Sequence, residues 1–116
     1  MDQSKAVVII FNINGMGQTS EQPLKDKLTK TFLTLTLQNQ NLPRAICFYT
    51  DGVKLACEGS AVLEELRALE TRGVHLILCQ TCLDYFGLKD KVRVGIVGGM
   101  GDIITAMMQA DSVITV

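Results

Sequence analysis

The sequence predicts an α/β fold, a three-layer α/β/α domain over residues 1–116 with a mainly parallel sheet of about five strands. Short apolar runs of strand length alternate with helical patterns along the chain, and this alternation is typical of parallel sheets. Most of the runs are apolar at consecutive positions, as in strands that are covered on both faces. No linker, repeat or low-complexity stretch indicates a second domain.

Five apolar runs are predicted to be the strands. The first is Ala-Val-Val-Ile-Ile-Phe, a continuous run rich in β-branched residues. The others are of similar length and are separated by helical patterns with polar or glycine-containing connections. The predicted strands are residues 6–11, 45–49, 74–78, 92–97 and 112–116.

Helical patterns fill the connections between these runs. The first helix is predicted over residues 21–38, where Pro23 is allowed in the first turn. The second begins after the N-cap candidate Ser60 and ends at Gly73. The third spans residues 79–86 and the fourth roughly residues 102–110. In the fourth helix, four side chains are predicted to be buried: Ile103, Ile104, Met107 and Met108.

The first helix carries more apolar side chains than one sheet-facing stripe needs. The predicted stripe is Leu24, Leu28, Phe32 and Leu35, with Leu33 and Leu37 pointing elsewhere. The two additional leucines fit either a contact with another subunit or a broad buried face, and the sequence favours neither.

Composition narrows the expected partners and location. The formal net charge is -1, with acidic and basic residues interspersed, so we expect neither nucleic-acid binding nor a polybasic membrane contact. No apolar run approaches membrane-spanning length, and the first residues lack the features of a signal peptide. The sequence therefore predicts a cytoplasmic protein in which the four cysteines stay reduced.

A Cys-x-x-Cys pair is the main candidate for chemistry. The third apolar run leads directly into Cys79-Gln-Thr-Cys82, which opens the third helix. With Cys79 at the N-cap and Cys82 in the first turn, the Cys79 sulfur is expected to face unpaired backbone N–H groups, which lower a thiol pKa. The same spacing puts Cys82 within reach for a disulfide or a transfer of sulfur. The pattern fits an attacking thiol with a resolving partner.

The pair also fits other interpretations. Two thiols near a strand end can be ordinary core residues. A structural zinc site needs two more ligands, and Cys47, Cys57 and His75 do not form a second ligand pair, so no metal is predicted. A thioredoxin-type oxidoreductase also has this motif at a helix start. The pair here follows the third strand, however, and neither Pro23 nor Pro43 is placed to face it.

A different class of function is a small-molecule or nucleotide-binding module with structural cysteines and no cofactor of its own. In a parallel sheet the strand-to-helix loops share the carboxyl edge, so the glycine-rich loops, the loop of residues 51–60 and the pair should gather on that edge. Which loops touch the thiols depends on the strand order, which the sequence does not give. Such loops can cradle anions, although a tight turn explains the first glycine loop more simply. The candidate binding residues are Gly15, Gly17, Lys54, Thr81 and Gly99.

Two segments resemble a known family. Residues 79–91, Cys-Gln-Thr-Cys-Leu-Asp-Tyr-Phe-Gly-Leu-Lys-Asp-Lys, and residues 52–60, Gly-Val-Lys-Leu-Ala-Cys-Glu-Gly-Ser, are similar to the DsrE/DsrF-like sulfur-relay family. Within it, the chain resembles most the branch found as the C-terminal domain of YedF-type selenium-metabolism proteins. The resemblance extends over nearly the whole chain and implies a DsrE-like, Rossmann/flavodoxin-like fold.

The resemblance implies a role for each cysteine of the pair. Sulfur-relay members carry a persulfide on a cysteine eight residues before a glycine, and Cys79 has that spacing to Gly87. The implied function is a cysteine-based sulfur or selenium carrier, similar to a sulfurtransferase, for which the Cys-x-x-Cys spacing offers Cys82 as the candidate resolving thiol. Cys57 departs from the family pattern, in which a small aliphatic residue is expected at this position.

The resemblance also implies partners. Family members commonly form trimers or hexamers, so a homo-oligomer is expected. The TusA-like domain of full-length YedF-type proteins is not part of this sequence. The sulfur or selenium donor and acceptor are therefore expected to be other chains, such as a TusA-like protein or a desulfurase.

Overall fold

A five-stranded sheet forms the centre of the computed structural model, which describes residues 5–116. The strands are β1 (Val7–Phe11), β2 (Ala45–Phe48), β3 (His75–Cys79), β4 (Ile96–Gly98) and β5 (Ser112–Thr115). They lie in the order β4-β3-β2-β1-β5, and each neighbouring pair is parallel. The predicted α/β fold class is confirmed.

Helices cover both faces of the sheet. They are α1 (Gln22–Gln38), α2 (Leu63–Thr71), α3 (Gln80–Phe86) and α4 (Met100–Met108). The first three connections each move one strand in the same direction, so the right-handed crossover rule places α1, α2 and α3 on one face. The connection from β4 to β5 runs back across the sheet and places α4 on the other face. The cysteine-bearing helix α3 therefore lies on the same face as α1 and α2.

The core lies along the three central strands. Every residue of β2 is buried, and so are the last four residues of β1 and of β3. Phe11 stacks on Phe48 with 5.7 Å between ring centroids, and Phe32 of α1 meets Phe11 edge-on at 6.2 Å. Most side chains of the edge strands β4 and β5 are exposed. The rigid part of the sheet is thus the part that ends at the cysteine pair.

The side of α1 that faces the sheet differs from the predicted one. Leu33 and Thr29 are fully buried, and Phe32 alone of the predicted stripe packs on the core. Thr29 is accommodated because its hydroxyl donates to the Lys25 carbonyl oxygen at 2.6 Å. The helix carries two apolar stripes, so the periodicity alone could not decide between them. The other predicted contacts are exposed: Leu24 by 47%, Leu28 by 43% and Leu35 by 58%.

The prediction for α4 is wrong for two of its four buried residues, Ile104 and Met108. Ile103 is fully buried and Met107 is half-buried, whereas Ile104 is 51% and Met108 is 80% exposed. A short helix lying on a sheet contacts it along one narrow stripe, which here is centred on Ile103. Met100, Ile104 and Met108 follow each other at four-residue spacing on the exposed side, and we call them the α4 stripe.

Three predicted boundaries also need correction. β4 is shorter than predicted and starts only after Gly95, whose φ of 83° interrupts the extended backbone. Ser60 does not cap α2, because Val62 is the N-cap and donates its N–H to the Ser60 hydroxyl at 3.1 Å. The loop that follows β2 is a 3₁₀ helix over Thr50–Ala56.

Leu33→Ala should lower the free energy of unfolding by about 2–5 kcal/mol, because it leaves a cavity in place of a fully buried side chain. Leu35→Ala, on the same helix, should change it by less than about 0.5 kcal/mol, because surface positions tolerate substitution. Urea denaturation followed by circular dichroism measures both. Equal losses in the two variants would contradict the observed orientation of α1.

Candidate functional site

The carboxyl ends of β2, β3 and β4 meet at one edge of the sheet. Phe48 pairs with Leu78, and Cys79 pairs with Gly98. The chain therefore leaves β2 beside the point where it leaves β3 at Cys79. The expected gathering of the strand-to-helix loops at one edge is confirmed, because every neighbouring pair of strands is parallel.

The two cysteines of the motif lie in contact. Cys79 is the last residue of β3 and the N-cap of α3, and Cys82 lies in the first turn, as predicted. The Cys82 thiol donates to Cys79 Sγ, with 3.0 Å between the sulfur atoms. Within the described residues, no amide of α3 donates to Cys79 Sγ, so the expected contact with the helix amides is not formed. The hydrogen-bond partner of Cys79 is the second thiol.

The two thiols differ in exposure. Cys79 is 3% exposed and belongs to the hydrophobic core. Cys82 is partly exposed and packs against the core from outside. A reagent or protein that approaches this edge of the sheet therefore meets Cys82 before Cys79.

Thr50 is a candidate residue that the sequence analysis missed. Its backbone N–H donates to Cys82 Sγ at 3.0 Å. Among residues 5–116 it is the one residue other than glycine with a positive φ, 49°, which is rare for a β-branched side chain. A threonine carries no sequence signal for this conformation, so the motif pattern could not reveal the contact.

Gly52 allows the turn at Thr50 to lie close to the end of β1. A Cβ atom on Gly52 would come within 2.0 Å of the Phe11 carbonyl oxygen, so only glycine fits there. The same carbonyl accepts the N–H of Tyr49 at 3.1 Å, and the Tyr49 carbonyl accepts the N–H of Gly52 at 3.0 Å. These bonds fix the turn that faces the cysteines.

The pKa of Cys82 is subject to opposing influences. Burial raises it, the hydrogen bond with Cys79 raises it further, and the N–H of Thr50 lowers it. The charges of Cys79 and Asp51 also raise it. Because the net effect is a pKa above the ordinary thiol value, Cys82 is mainly protonated at neutral pH and can donate to Cys79.

Lys54 lies beside α3, and its charge is already paired. Its Nζ lies 2.6 Å from a carboxylate oxygen of Asp51 and 4.4 Å from the centroid of the Phe86 ring. The ion pair places the positive charge next to the acid that raises the pKa of Cys82. The cation–π contact with Phe86 holds the loop against α3.

The other predicted binding residues have no hydrogen bond to the cysteines in the described residues. Gly15 and Gly17, with φ of 136° and 88°, shape the connection from β1 to α1. The N–H of Gly99, the N-cap of α4, donates to the carboxylate of Asp102 at 2.9 Å. Thr81 is exposed on α3. Turn geometry and helix capping account for the three glycines.

The remaining cysteines are core residues. Cys47 is fully buried in β2, and burial raises its pKa to about 11. Cys57 is buried, and its thiol donates to the Val53 carbonyl oxygen at 3.2 Å. Burial raises the pKa of Cys57, while the charge of Arg93 lowers it. In the part of the chain that the structure describes, no three His, Cys, Asp or Glu side chains gather as metal ligands.

A cleft of about 400 Å³ opens on the other side of Lys54, between the start of α1 and the 3₁₀ helix. Its lining is mixed, with polar side chains such as Gln22, Asp26 and Ser60 beside apolar ones such as Leu55, and it includes Cys57. Gln22 already donates to Asp26 at 2.7 Å. The cleft therefore adjoins the cysteine site through Lys54 but has its own lining.

The family of the chain follows from its whole length. Residues 5–116 match the model of the DsrE/DsrF-like family. The chain belongs to the DsrE/DsrF-like family. This family is associated with sulfur relay, and the match confirms the resemblance seen in residues 52–60 and 79–91. No functionally curated protein matches the chain in sequence.

Three solved structures share the fold of this DsrE/DsrF-like chain. The YchN protein of E. coli has a TM-score of 0.70 and 20% identity, over 98% of this chain and 100% of that one. MTH1491 of Methanobacterium thermoautotrophicum has a TM-score of 0.65 and 18% identity, over 95% of this chain and 97% of that one. BT1422 of Bacteroides thetaiotaomicron has a TM-score of 0.61 and 15% identity, over 96% of this chain and 95% of that one. At these identities the likeness concerns the fold.

Within residues 5–116, no helix is both long enough and apolar enough to cross a membrane.

Iodoacetamide at neutral pH should modify Cys82 first, because it alone of the four described cysteines is not buried. Cys47 should react only when the protein unfolds, since it is inaccessible and its pKa is raised to about 11. Time-resolved peptide mapping by mass spectrometry gives the rate at each cysteine. Cys82→Ser should remove the fast phase, and a fast phase at Cys47 in the native protein would contradict the structure.

Proposed function

We propose that this DsrE/DsrF-like protein is a cysteine-based carrier of sulfane sulfur, the outer sulfur of a persulfide. The observation that carries the proposal is the geometry of the Cys79–Cys82 pair, with sulfur atoms 3.0 Å apart, one thiol buried and the other partly exposed. A buried thiol beside an accessible one suits a carrier, because the cargo is sheltered from water until the second thiol acts.

Loading takes place on Cys79. Its thiolate attacks the outer sulfur of a donor persulfide, so that a new S–S bond forms at Cys79 Sγ, the S–S bond of the donor breaks and the donor leaves as a thiolate. The Cys82 S–H group donates to Cys79 Sγ and stabilises the attacking thiolate. The Cys82 S–H group thus has the stabilising role that was predicted for the backbone amides of α3.

Release uses Cys82. Its thiolate attacks Cys79 Sγ, forms the Cys79–Cys82 disulfide and expels the outer sulfur as hydrosulfide ion. The two cysteines lose two electrons and the released sulfur gains two. Since a disulfide bond is about 2.05 Å long, the two sulfur atoms need to approach each other by about 1 Å. A cellular dithiol reductant then restores both thiols.

The cargo is sulfur, or selenium by the same steps, and it arrives from another protein that carries a persulfide or selenopersulfide. A TusA-like protein or a cysteine desulfurase is the proposed donor, and an acceptor protein takes up the cargo as hydrosulfide, the oxidation level at which Cys82 releases it. Support comes from the accessible surface beside the pair, where Tyr85 of α3 is 86% exposed and Thr81 is exposed as well. This surface is wide enough for a protein donor to approach Cys82 and the thiol behind it.

Incubation with a cysteine desulfurase and cysteine should add one or more sulfur atoms to the peptide that contains Cys79. Intact-protein mass spectrometry and peptide mapping measure the gain. Cys79→Ser should abolish it, whereas Cys82→Ser should keep it and hold the persulfide longer, because the resolving thiol is missing. Cys47→Ser is the matched control and should load like the wild type, since Cys47 is buried in β2.

Sulfur gain in Cys79→Ser would overturn the assignment of the carrier thiol. No gain in the wild type, together with slow alkylation of Cys82, would favour the binding module with structural cysteines. In that case a thermal-shift screen of small anions and nucleotides is the next measurement, because a ligand at 100 times its Kd adds about 2.7 kcal/mol of stability.

We also infer that the protein forms a homo-oligomer, a trimer or hexamer. The α4 stripe is exposed, and α4 lies beside β4, whose Ile96 and Val97 are 60% and 42% exposed. A second row of exposed leucines, Leu24, Leu28 and Leu35, runs along α1 on the opposite face. Soluble monomers rarely expose contiguous apolar patches of this kind. These two rows of exposed apolar side chains are the proposed contact surfaces between copies.

Ile104→Glu should convert the oligomer into a monomer, because a charge on the α4 stripe cannot be buried without a partner. Glu64→Lys, an exposed charge reversal on α2, is the matched control and should leave the assembly unchanged. Light scattering coupled to size-exclusion chromatography measures the mass of each. A monomeric wild type at tens of micromolar would refute the inference.

A further inference from the structure

We propose that Thr50 is a positioning residue for the resolving thiol: its left-handed backbone aims the N–H at Cys82 Sγ and thereby raises the thiolate fraction of Cys82. The proposal rests on the proposed function, in which Cys82 attacks the persulfide of Cys79 as a thiolate. It adds to that function a residue outside the Cys-x-x-Cys motif and a step at which it acts.

The geometry of the turn supports this role. The N–H of Thr50 lies 3.0 Å from Cys82 Sγ and donates to it. This N–H belongs to the backbone, so no substitution of the side chain removes it. A hydrogen bond donated to a sulfur stabilises its anion more than its protonated form. The turn that carries the N–H is held at the end of β1 by the close approach of Gly52 to the Phe11 carbonyl.

The side chain of Thr50 holds the backbone in its unusual conformation. A φ of 49° is costly for a β-branched residue and persists only where the surroundings enforce it. The hydroxyl of Thr50 contacts two carbonyl oxygens, those of Asn12 and Tyr49. The hydroxyl has one hydrogen to donate, and its donation to either carbonyl compensates the strain, so the hydroxyl acts on Cys82 through the direction of the backbone N–H.

The contact between the Thr50 N–H and Cys82 has its effect after Cys79 has been loaded. Before loading, Cys82 is protonated, and its S–H group donates a hydrogen bond to Cys79 Sγ. Once Cys79 Sγ is bonded to the cargo, its negative charge has moved to the outer sulfur and it is a weaker acceptor for the Cys82 proton. The N–H of Thr50 remains and favours the thiolate at the stage where Cys82 attacks.

The charged groups around Cys82 set the background against which Thr50 acts. Asp51 follows Thr50 in the chain, raises the pKa of Cys82 and is paired with Lys54 at 2.6 Å. On α3 itself, Asp84 is paired with Lys89 at 3.7 Å. The remaining titratable neighbour is Cys79, which also raises the pKa of Cys82. Asp51 and Thr50 therefore act on the same sulfur in opposite directions.

The test is the pH dependence of Cys82 alkylation by iodoacetamide, in a Cys79→Ser background so that Cys82 is the one reactive thiol on its peptide. Thr50→Val removes the hydroxyl but keeps the β-branched shape, so the backbone should leave the left-handed region and lose the contact. The midpoint should rise by about one pH unit. Because a more basic thiolate is also more nucleophilic, the rate at pH 7 should fall by about three- to fourfold. Thr50→Ala should shift the midpoint the same way and serves if Thr50→Val does not fold.

Two matched variants separate this role from a general disturbance of the loop. Thr50→Gly lacks the hydroxyl but tolerates a positive φ, so its midpoint should stay close to that of the parent. Asp51→Asn, one residue away, should lower the midpoint, because it removes the carboxylate that raises the pKa of Cys82. Unchanged midpoints in both Thr50→Val and Thr50→Ala would overturn the proposal. A rise in Thr50→Gly equal to that in Thr50→Val would do so as well.

These measurements use no sulfur donor, so their failure is distinct from failure of the proposed function. If Cys79 accepts sulfur but the Thr50 variants leave the midpoint unchanged, the carrier function stands and the role of Thr50 is wrong. If the midpoint shifts as expected but no sulfur is gained, Thr50 tunes the thiol and the carrier function is wrong. In the loaded protein, Thr50→Val should also slow release of hydrosulfide without changing the extent of loading on Cys79.

Discussion

The site depends on the parallel register between β2 and β3. Phe48 lies opposite Leu78, so both strands end at the same height and their next residues leave the sheet side by side. Thr50 and Cys82 are 32 positions apart in sequence and meet only because of this register. A shift by one residue would exchange the side chains of β3 between the two covered faces of the sheet, where they would not fit, and would separate the turn from the thiol. The burial of both strands on both faces is what prevents such a shift.

Two hydrogen bonds at Cys82 Sγ have opposite effects on its protonation. Cys82 donates to Cys79 and accepts from Thr50, so the protonated form of Cys82 is favoured by the first contact and the thiolate by the second. In the proposed carrier cycle, the balance between them depends on whether Cys79 is free or loaded. The nearby carboxylate of Asp51 adds to the first effect, and the N–H of Thr50 opposes both.

The sequence is sufficient to predict the succession of strands and helices along the chain, the fold class, the family and the position of both cysteines at the start of α3. It does not give the order of the strands within the sheet. It is insufficient wherever two patterns compete. On α1, two apolar stripes have nearly the same periodicity, and the choice of Leu33 over Leu28 depends on packing against the sheet. In the site, the contact of Thr50 with Cys82 depends on a strained φ and on the space left by Gly52. Threonine has no local preference from which this left-handed conformation could be predicted.

The difference in exposure between the two thiols also bears on oxidative damage. A peroxide that reaches this edge of the sheet meets Cys82 and converts it to a sulfenic acid. Cys79 lies 3.0 Å away and can condense with that group to a disulfide before the sulfur is oxidised further, to the irreversible sulfinic acid. Cys79 itself, at 3% exposure, is shielded from the peroxide. The arrangement that is proposed to hold a cargo thus also keeps the pair in a state that a reductant can repair.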